Sequence, residues 1–158
     1  MNNKSLITAV TGLIISLGVV GSASADPDKS QHLRGLGGRV FFVEVHDLYE
    51  DVFFDNCYTF YADGTWDDPG FPVLGAWNQD SVGAKTSYTA DALAEDFDIG
   101  IVVDLLLEQV GQVTPAGGSG TLQLTAYSKA IFVDFMGEGD LVVGEFVSVG
   151  YEVDECPL

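Results

Sequence analysis

Asp55-Asn56-Cys57-Tyr58-Thr59-Phe60-Tyr61-Ala62-Asp63-Gly64-Thr65-Trp66 is the stretch that decides the fold class. Tyr58, Phe60 and Ala62 alternate with Cys57, Thr59 and Tyr61, and a period of two rich in aromatic residues belongs to a strand, not a helix. Asp63-Gly64 supplies the two positive-φ positions of a tight hairpin turn, and Thr65 and Trp66 open the return strand.

The same period extends outward in both directions. Upstream, residues 39–46 place Phe41, Val43 and Val45 on one face and Phe42, Glu44 and His46 on the other. Downstream, residues 75–79 with Trp77 and residues 84–90 with Tyr88 form a second hairpin about a turn at 80–83. Residues 98–108 give the longest alternating run, with Ile99, Ile101, Val103, Leu105 and Leu107 on one face. A Gly-rich loop over 113–120 leads to a strand at 121–128, and residues 129–136 and 141–153 pair about Gly137-Glu138-Gly139-Asp140. Residues 91–97 read as a short turn or loop, too short for a stable helix.

Eight or nine short strands with almost no helix specify an all-β, antiparallel domain. A single closed barrel over residues 39–158 is the preferred architecture, because closure removes exposed edge strands; a β-sandwich is the alternative. An outer-membrane barrel would need a lipid-facing apolar stripe on most strands, and the acids run through nearly every segment.

Residues 1–25 have the parts of a secretory signal: Lys4 near the start, an apolar run from Leu6 to Val20, and Ala23-Ser24-Ala25 before Asp26. The apolar run is shorter than the roughly 20 residues that span a bilayer. The expected product is exported, periplasmic or extracellular, with no membrane insertion of the mature chain. Residues 26–38 read as a flexible N-terminal lead-in containing His32. Removing 25 residues from 158 leaves 133, which keep five of the six basic residues and all 24 acids, a formal charge of −19. That balance excludes a generic nucleic-acid binder, which grips phosphate with clustered Lys and Arg. With 47% hydrophobic and 11% aromatic residues, the chain is also too apolar to stay disordered.

In an oxidising compartment Cys57 and Cys156, the only two cysteines, are expected to form a disulfide closing a loop of 100 residues. No catalytic constellation stands out. His46 is the only histidine in an expected strand and no G-x-S-x-G accompanies it. Asp104 and Glu108 share a face, as acids in so acidic a chain do by chance. The chain therefore reads as non-catalytic. No His-rich metal pattern occurs. Calcium is the ion the acids could take, through Asp47, Glu50, Asp51 and Asp55 in one connection or Asp63, Asp67 and Asp68 beside the hairpin, without EF-hand spacing.

Tyr58, Phe60, Trp66, Trp77 and Tyr88 fall on neighbouring strands. They are either the packed core or the walls of a pocket for a small apolar ligand. The segment from Cys57 to Trp66, with Gly75-Ala76-Trp77 and Tyr88, resembles the strand, DGT hairpin and G-x-W pattern of small secreted lipocalin-like (calycin-like) barrels. A tail cysteine bridged to a barrel strand is similar to that family too. The resemblance implies a barrel that binds a small hydrophobic molecule. A structural or interaction module of the bacterial cell envelope, without a ligand, is the alternative function.

Overall fold

A computed structural model describes residues 35–82, 85–117 and 121–158. The expected leader at 1–25, the lead-in up to residue 34 with His32, and parts of the turns at 80–83 and 113–120 lie outside the described residues. Eight strands follow in order: β1 Arg39–Asp47, β2 Val52–Phe60, β3 Thr65–Asp67, β4 Gly75–Val82, β5 Lys85–Asp98, β6 Val102–Pro115, β7 Leu122–Val133 and β8 Leu141–Val153. Each pairs antiparallel with the next. β8 returns to β1, from Val153 opposite Val40 to Phe146 opposite Asp47, and closes the sheet into an up-and-down barrel. The barrel, not the sandwich, is formed.

The expected alternation holds best where the inward residues are large. Phe41, Val43 and Val45 of β1 and Tyr58 and Phe60 of β2 are buried, as is Trp66 of β3. Where the alternation is carried by small residues, the sequence misleads. Residues 91–97 are no loop: they continue β5, with Ala90, Ala92 and Ala94 buried in strict alternation. Alanine is a helix former, and its small side chain gives little period-two signal. Ile99 and Ile101, expected on the inner face of a strand, sit instead in the β5–β6 turn and are 49% and 46% exposed. Gly100 there takes φ 97° and its N–H donates to Asp98 Oδ1. β6 starts later and runs on to Pro115, into the expected Gly-rich loop, while 121–128 and most of 129–136 merge into β7, which brings the count to eight.

The Asp63-Gly64 turn differs in detail. Only Gly64 has positive φ, 89°. Tyr61 carbonyl accepts from Gly64 N–H and Tyr61 N–H donates to Thr65 carbonyl, which makes a type I turn closed by a left-handed glycine. Asp63 accepts from the backbone and hydroxyl of Thr65, and these bonds hold its carboxyl below the usual Asp range.

Up-and-down connectivity sends alternate connections to the same end. Residues 48–51, 68–74, 99–101 and 134–140 gather at one end, the mouth; the 61–64 turn and residues 35–38 lie at the other. The closed end is plugged. Phe60 packs edge-on against Phe41, Trp77 and Tyr88 at centroid distances of 5.9, 5.7 and 4.9 Å. Leu36 joins this core, fully buried, with its N–H on Gln79 Oε1. The last four residues of the expected flexible lead-in are thus built into the barrel. Gly111 of β6 makes room for Tyr88: a Cβ there would lie 2.4 Å from the phenol ring.

Cys57 and Cys156 are bonded, with Cα atoms 6.1 Å apart. Cys57 of β2 and Tyr151 of β8 both flank Phe42 of β1. The tail beyond β8 therefore passes across β1 to reach β2, and the bridge fastens the seam at which the barrel closes.

Candidate functional site

Above the plug, the barrel interior turns polar. Tyr88 Oη donates to Gln109 Oε1 at 2.7 Å, Gln109 Nε2 donates to Ser128 Oγ at 2.9 Å, and Tyr58 Oη and Ser148 Oγ share a hydrogen bond of 2.7 Å. All five side chains are buried. Such a belt is tolerated inside a barrel only because each member is paired. Burial pushes the Tyr58 and Tyr88 phenols well above their ordinary range, so both remain neutral donors at any physiological pH.

Between this belt and the mouth lies a cavity of about 190 Å³. Val45, Phe54, Phe71, Leu105, Leu107, Ala130 and Phe146 give it apolar walls, and Asn56, Tyr58, Asp68 and Ser128 supply the polar atoms. Gly70 and Phe71 come from the connection between β3 and β4, which crosses the mouth because β3 is only three residues long. Asp68 opens that connection. It is 8% exposed, and its Oδ1 accepts from Asn56 Nδ2 at 2.7 Å and Gly70 N–H at 2.9 Å. Asn56 Oδ1 is in turn held by Cys57 N–H. Desolvation raises the Asp68 carboxyl pKa above the usual range, opposed by those two hydrogen bonds and reinforced by Asp67.

The five aromatic residues singled out from sequence divide between the two halves of the barrel. Tyr58 borders the cavity. Phe60, Trp66 and Tyr88 are buried core, and Trp77 packs against that core half-buried, its Nε1 donating to Tyr61 carbonyl. Trp66 has a buried Nε1 with no hydrogen-bond partner. Asn56, Phe54, Ser128 and Phe146 line the cavity with no sequence signal of a site, and Asp68, weighed from sequence only for calcium, borders it too. Ser128 pairs with Gln109, which lies one step beyond the end of the alternating run as drawn; extending that run would have found both. Asp68 was legible only as one acid among many.

His46 points away from the cavity, stacked on Phe53 at 4.1 Å with Nε2 2.8 Å from Asp51 Oδ1. Of the acids weighed for calcium, Asp47 accepts from Tyr49 and Glu50 N–H, Asp63 is engaged by Thr65, and Asp68 by Asn56. Among the described residues no three His, Cys, Asp or Glu side chains converge as metal ligands. Asp104 accepts from Asp96 N–H, whereas Glu108 lies opposite Asp91 and Lys129.

The acids are less evenly spread than the sequence implies. The mouth connections and their flanks carry Asp47, Glu50 and Asp51, then Asp68, then Glu95, Asp96 and Asp98, then Asp134, Glu138 and Asp140, and no Lys or Arg. The described basic residues, Arg39, Lys85 and Lys129, lie elsewhere, and Arg39 is ion-paired with Glu152. The same rim exposes Tyr49, Val52, Phe53, Leu74, Val102 and Met136. Among the described residues no helix is long and apolar enough to cross a membrane.

The fold and site define a small, disulfide-stapled, up-and-down β-barrel with an acidic, apolar-rimmed mouth over an internal cavity. Compared with protein-family models, curated protein sequences and solved structures, the chain matches none.

Proposed function

We propose that this chain is an exported, non-catalytic barrel that holds a small, mainly apolar molecule in the cavity behind its mouth, in the manner of lipocalin-like proteins. The observation that carries the reading is the cavity itself: about 190 Å³ of space walled by Phe54, Phe71, Leu105, Leu107 and Phe146, beside a plugged end packed with aromatic rings. A 150 Å³ apolar cavity is enough for one benzene ring, so the occupant is a single-ring or short-chain molecule. Export is supported by the leader pattern at 1–25 and by the Cys57–Cys156 bridge, which an oxidising compartment maintains.

The test is heteronuclear NMR titration with neutral single-ring compounds such as toluene and 2-phenylethanol, on the wild type and on Ala130→Phe, which fills the cavity from β7. Binding that perturbs resonances of cavity residues and disappears in the filled variant supports the reading. Absence of binding across the panel, or binding undiminished in Ala130→Phe, refutes it. A second reading, an interaction module of the cell envelope, is favoured by the exposed apolar rim of Tyr49, Phe53, Val102 and Met136. Native mass spectrometry of protein purified from its host separates the two: a co-purifying small molecule supports the first, a co-purifying protein the second.

A further inference from the structure

The cavity's polar atoms are nearly all engaged with one another. Tyr58 is bonded to Ser148, Ser128 to Gln109, and both ends of the Asn56 amide are held. Asp68 is the exception. Both of its hydrogen bonds fall on Oδ1, and among the described residues no Lys, Arg or His lies within ion-pair distance of it. A carboxylate 92% withdrawn from solvent normally sits beside a countercharge, because an uncompensated buried charge is strongly unfavourable. No countercharge faces it among the described residues, and the carboxylate borders a cavity.

The surroundings select the same sign of charge. Phe54, Phe71, Phe146 and Tyr58 line the cavity, and aromatic side chains can attract cations to their ring faces. The mouth connections bear acids and no Lys or Arg among the described residues, which concentrates cations and repels anions at the entrance. Fatty acids and other carboxylates are disfavoured on both counts.

We propose that the cavity binds a small organic amine, its ammonium group ion-paired to Asp68 Oδ2 and its apolar body against Phe54, Phe71 and Phe146. This rests on the cavity being a ligand site. Loading supplies the countercharge that the described residues lack, so the amine is held by a charge-assisted hydrogen bond in a site of low polarity, and a neutral isostere loses that interaction while keeping the apolar contacts.

The experiment is isothermal titration calorimetry at pH 7 with phenethylamine, 2-phenylethanol and 3-phenylpropionate, on wild-type protein and on Asp68→Asn. The expected result is amine binding at least tenfold tighter than the alcohol, no binding of the carboxylate, and collapse of the amine preference to within about twofold in Asp68→Asn with alcohol binding retained. Equal affinity of the wild type for amine and alcohol overturns the amine assignment and leaves the apolar cavity standing. No binding of any of the three overturns both. The wild-type comparison does not depend on the variant folding. Unchanged amine affinity in a folded Asp68→Asn protein places the ammonium elsewhere and refutes the role of Asp68.

Discussion

Reducing the Cys57–Cys156 bridge is expected to cost this barrel a large part of its stability. The two residues are 99 apart in sequence, so the bridge removes the closure entropy of a 100-residue loop from the unfolded chain. In the chain-entropy model that is worth about 4.7 kcal/mol. The domain's whole stability is expected in the range of about 5–15 kcal/mol. With an unfolding entropy near 2.1 cal/mol/K per residue over roughly 120 residues, 4.7 kcal/mol corresponds to a melting-temperature drop of about 15–20 °C. Native pairing opposes part of the loss: β8 stays bonded to β1 over eight register pairs whether or not the tail is fastened. The assay is urea unfolding followed by Trp fluorescence, with and without a phosphine reductant, compared with Cys57→Ala/Cys156→Ala. A loss of about 2–5 kcal/mol is expected in both. A loss under about 1 kcal/mol would show that the seam holds without its staple and would refute the argument.

Gly111→Ala forces its Cβ to within 2.4 Å of the Tyr88 ring, whose hydroxyl is tied to Gln109; the ring has to leave its place. A loss of about 2–4 kcal/mol by chemical denaturation is expected, within the range for overpacking combined with a broken buried hydrogen bond, and a variant as stable as wild type refutes the packing described. Asp68 has its pKa raised in the folded state, so the fold binds its proton more tightly than the unfolded chain does. Its contribution is fully present below the ordinary Asp range and is lost as pH rises through the folded value. Asp68→Asn is therefore expected to match wild type near pH 3 and to exceed it in melting temperature at pH 7 without ligand; equal melts at both values sink the claim. The formal charge of −18 on the full sequence, with the mouth connections bearing no Lys or Arg, makes the barrel self-repelling. Melting temperature is expected to rise between about 10 mM and 1 M sodium chloride, where the Debye length shrinks from about 30 to 3 Å, and a flat or falling curve argues against it.

The architecture was legible because closure needs only strand count and alternation, and large inward residues such as Phe41, Tyr58 and Phe60 announce both. Boundaries were hidden wherever the inward residue is small or polar. Ala90, Ala92 and Ala94 are buried without a hydrophobic signature, and Gln109, Ser128 and Ser148 look like surface residues until the register sets Gln109 beside Ser128 and Ser148 beside Ala126 inside the barrel. The bulges in β5 between Ala94 and Phe97 and in β8 opposite Ala130–Ile131, both near the mouth, shift register there, as barrel rims commonly do. The site was less legible for a related reason. Of the aromatic residues most visible in sequence, Phe60, Trp66, Trp77 and Tyr88 pack in or against the core, and Tyr58 borders the cavity. The cavity is where the rings thin out, and a gap has no sequence motif. Likewise the acids alternate along the chain as evenly as the turns do, and only the up-and-down path sorts every second turn to one end.

That path also decides how the molecule sits relative to anything attached to it. The chain enters the described barrel at Gly35, beside Leu36 of the plug, and β8 ends at Val153 opposite Val40. The tail then returns outside the wall to Cys57. Gly35, the first described residue, and the tail at Cys156 both lie away from the mouth. A barrel captured on a sensor surface or fused to a carrier through its C-terminal tail therefore presents its acidic opening outward, and immobilised formats can be built without covering the cavity.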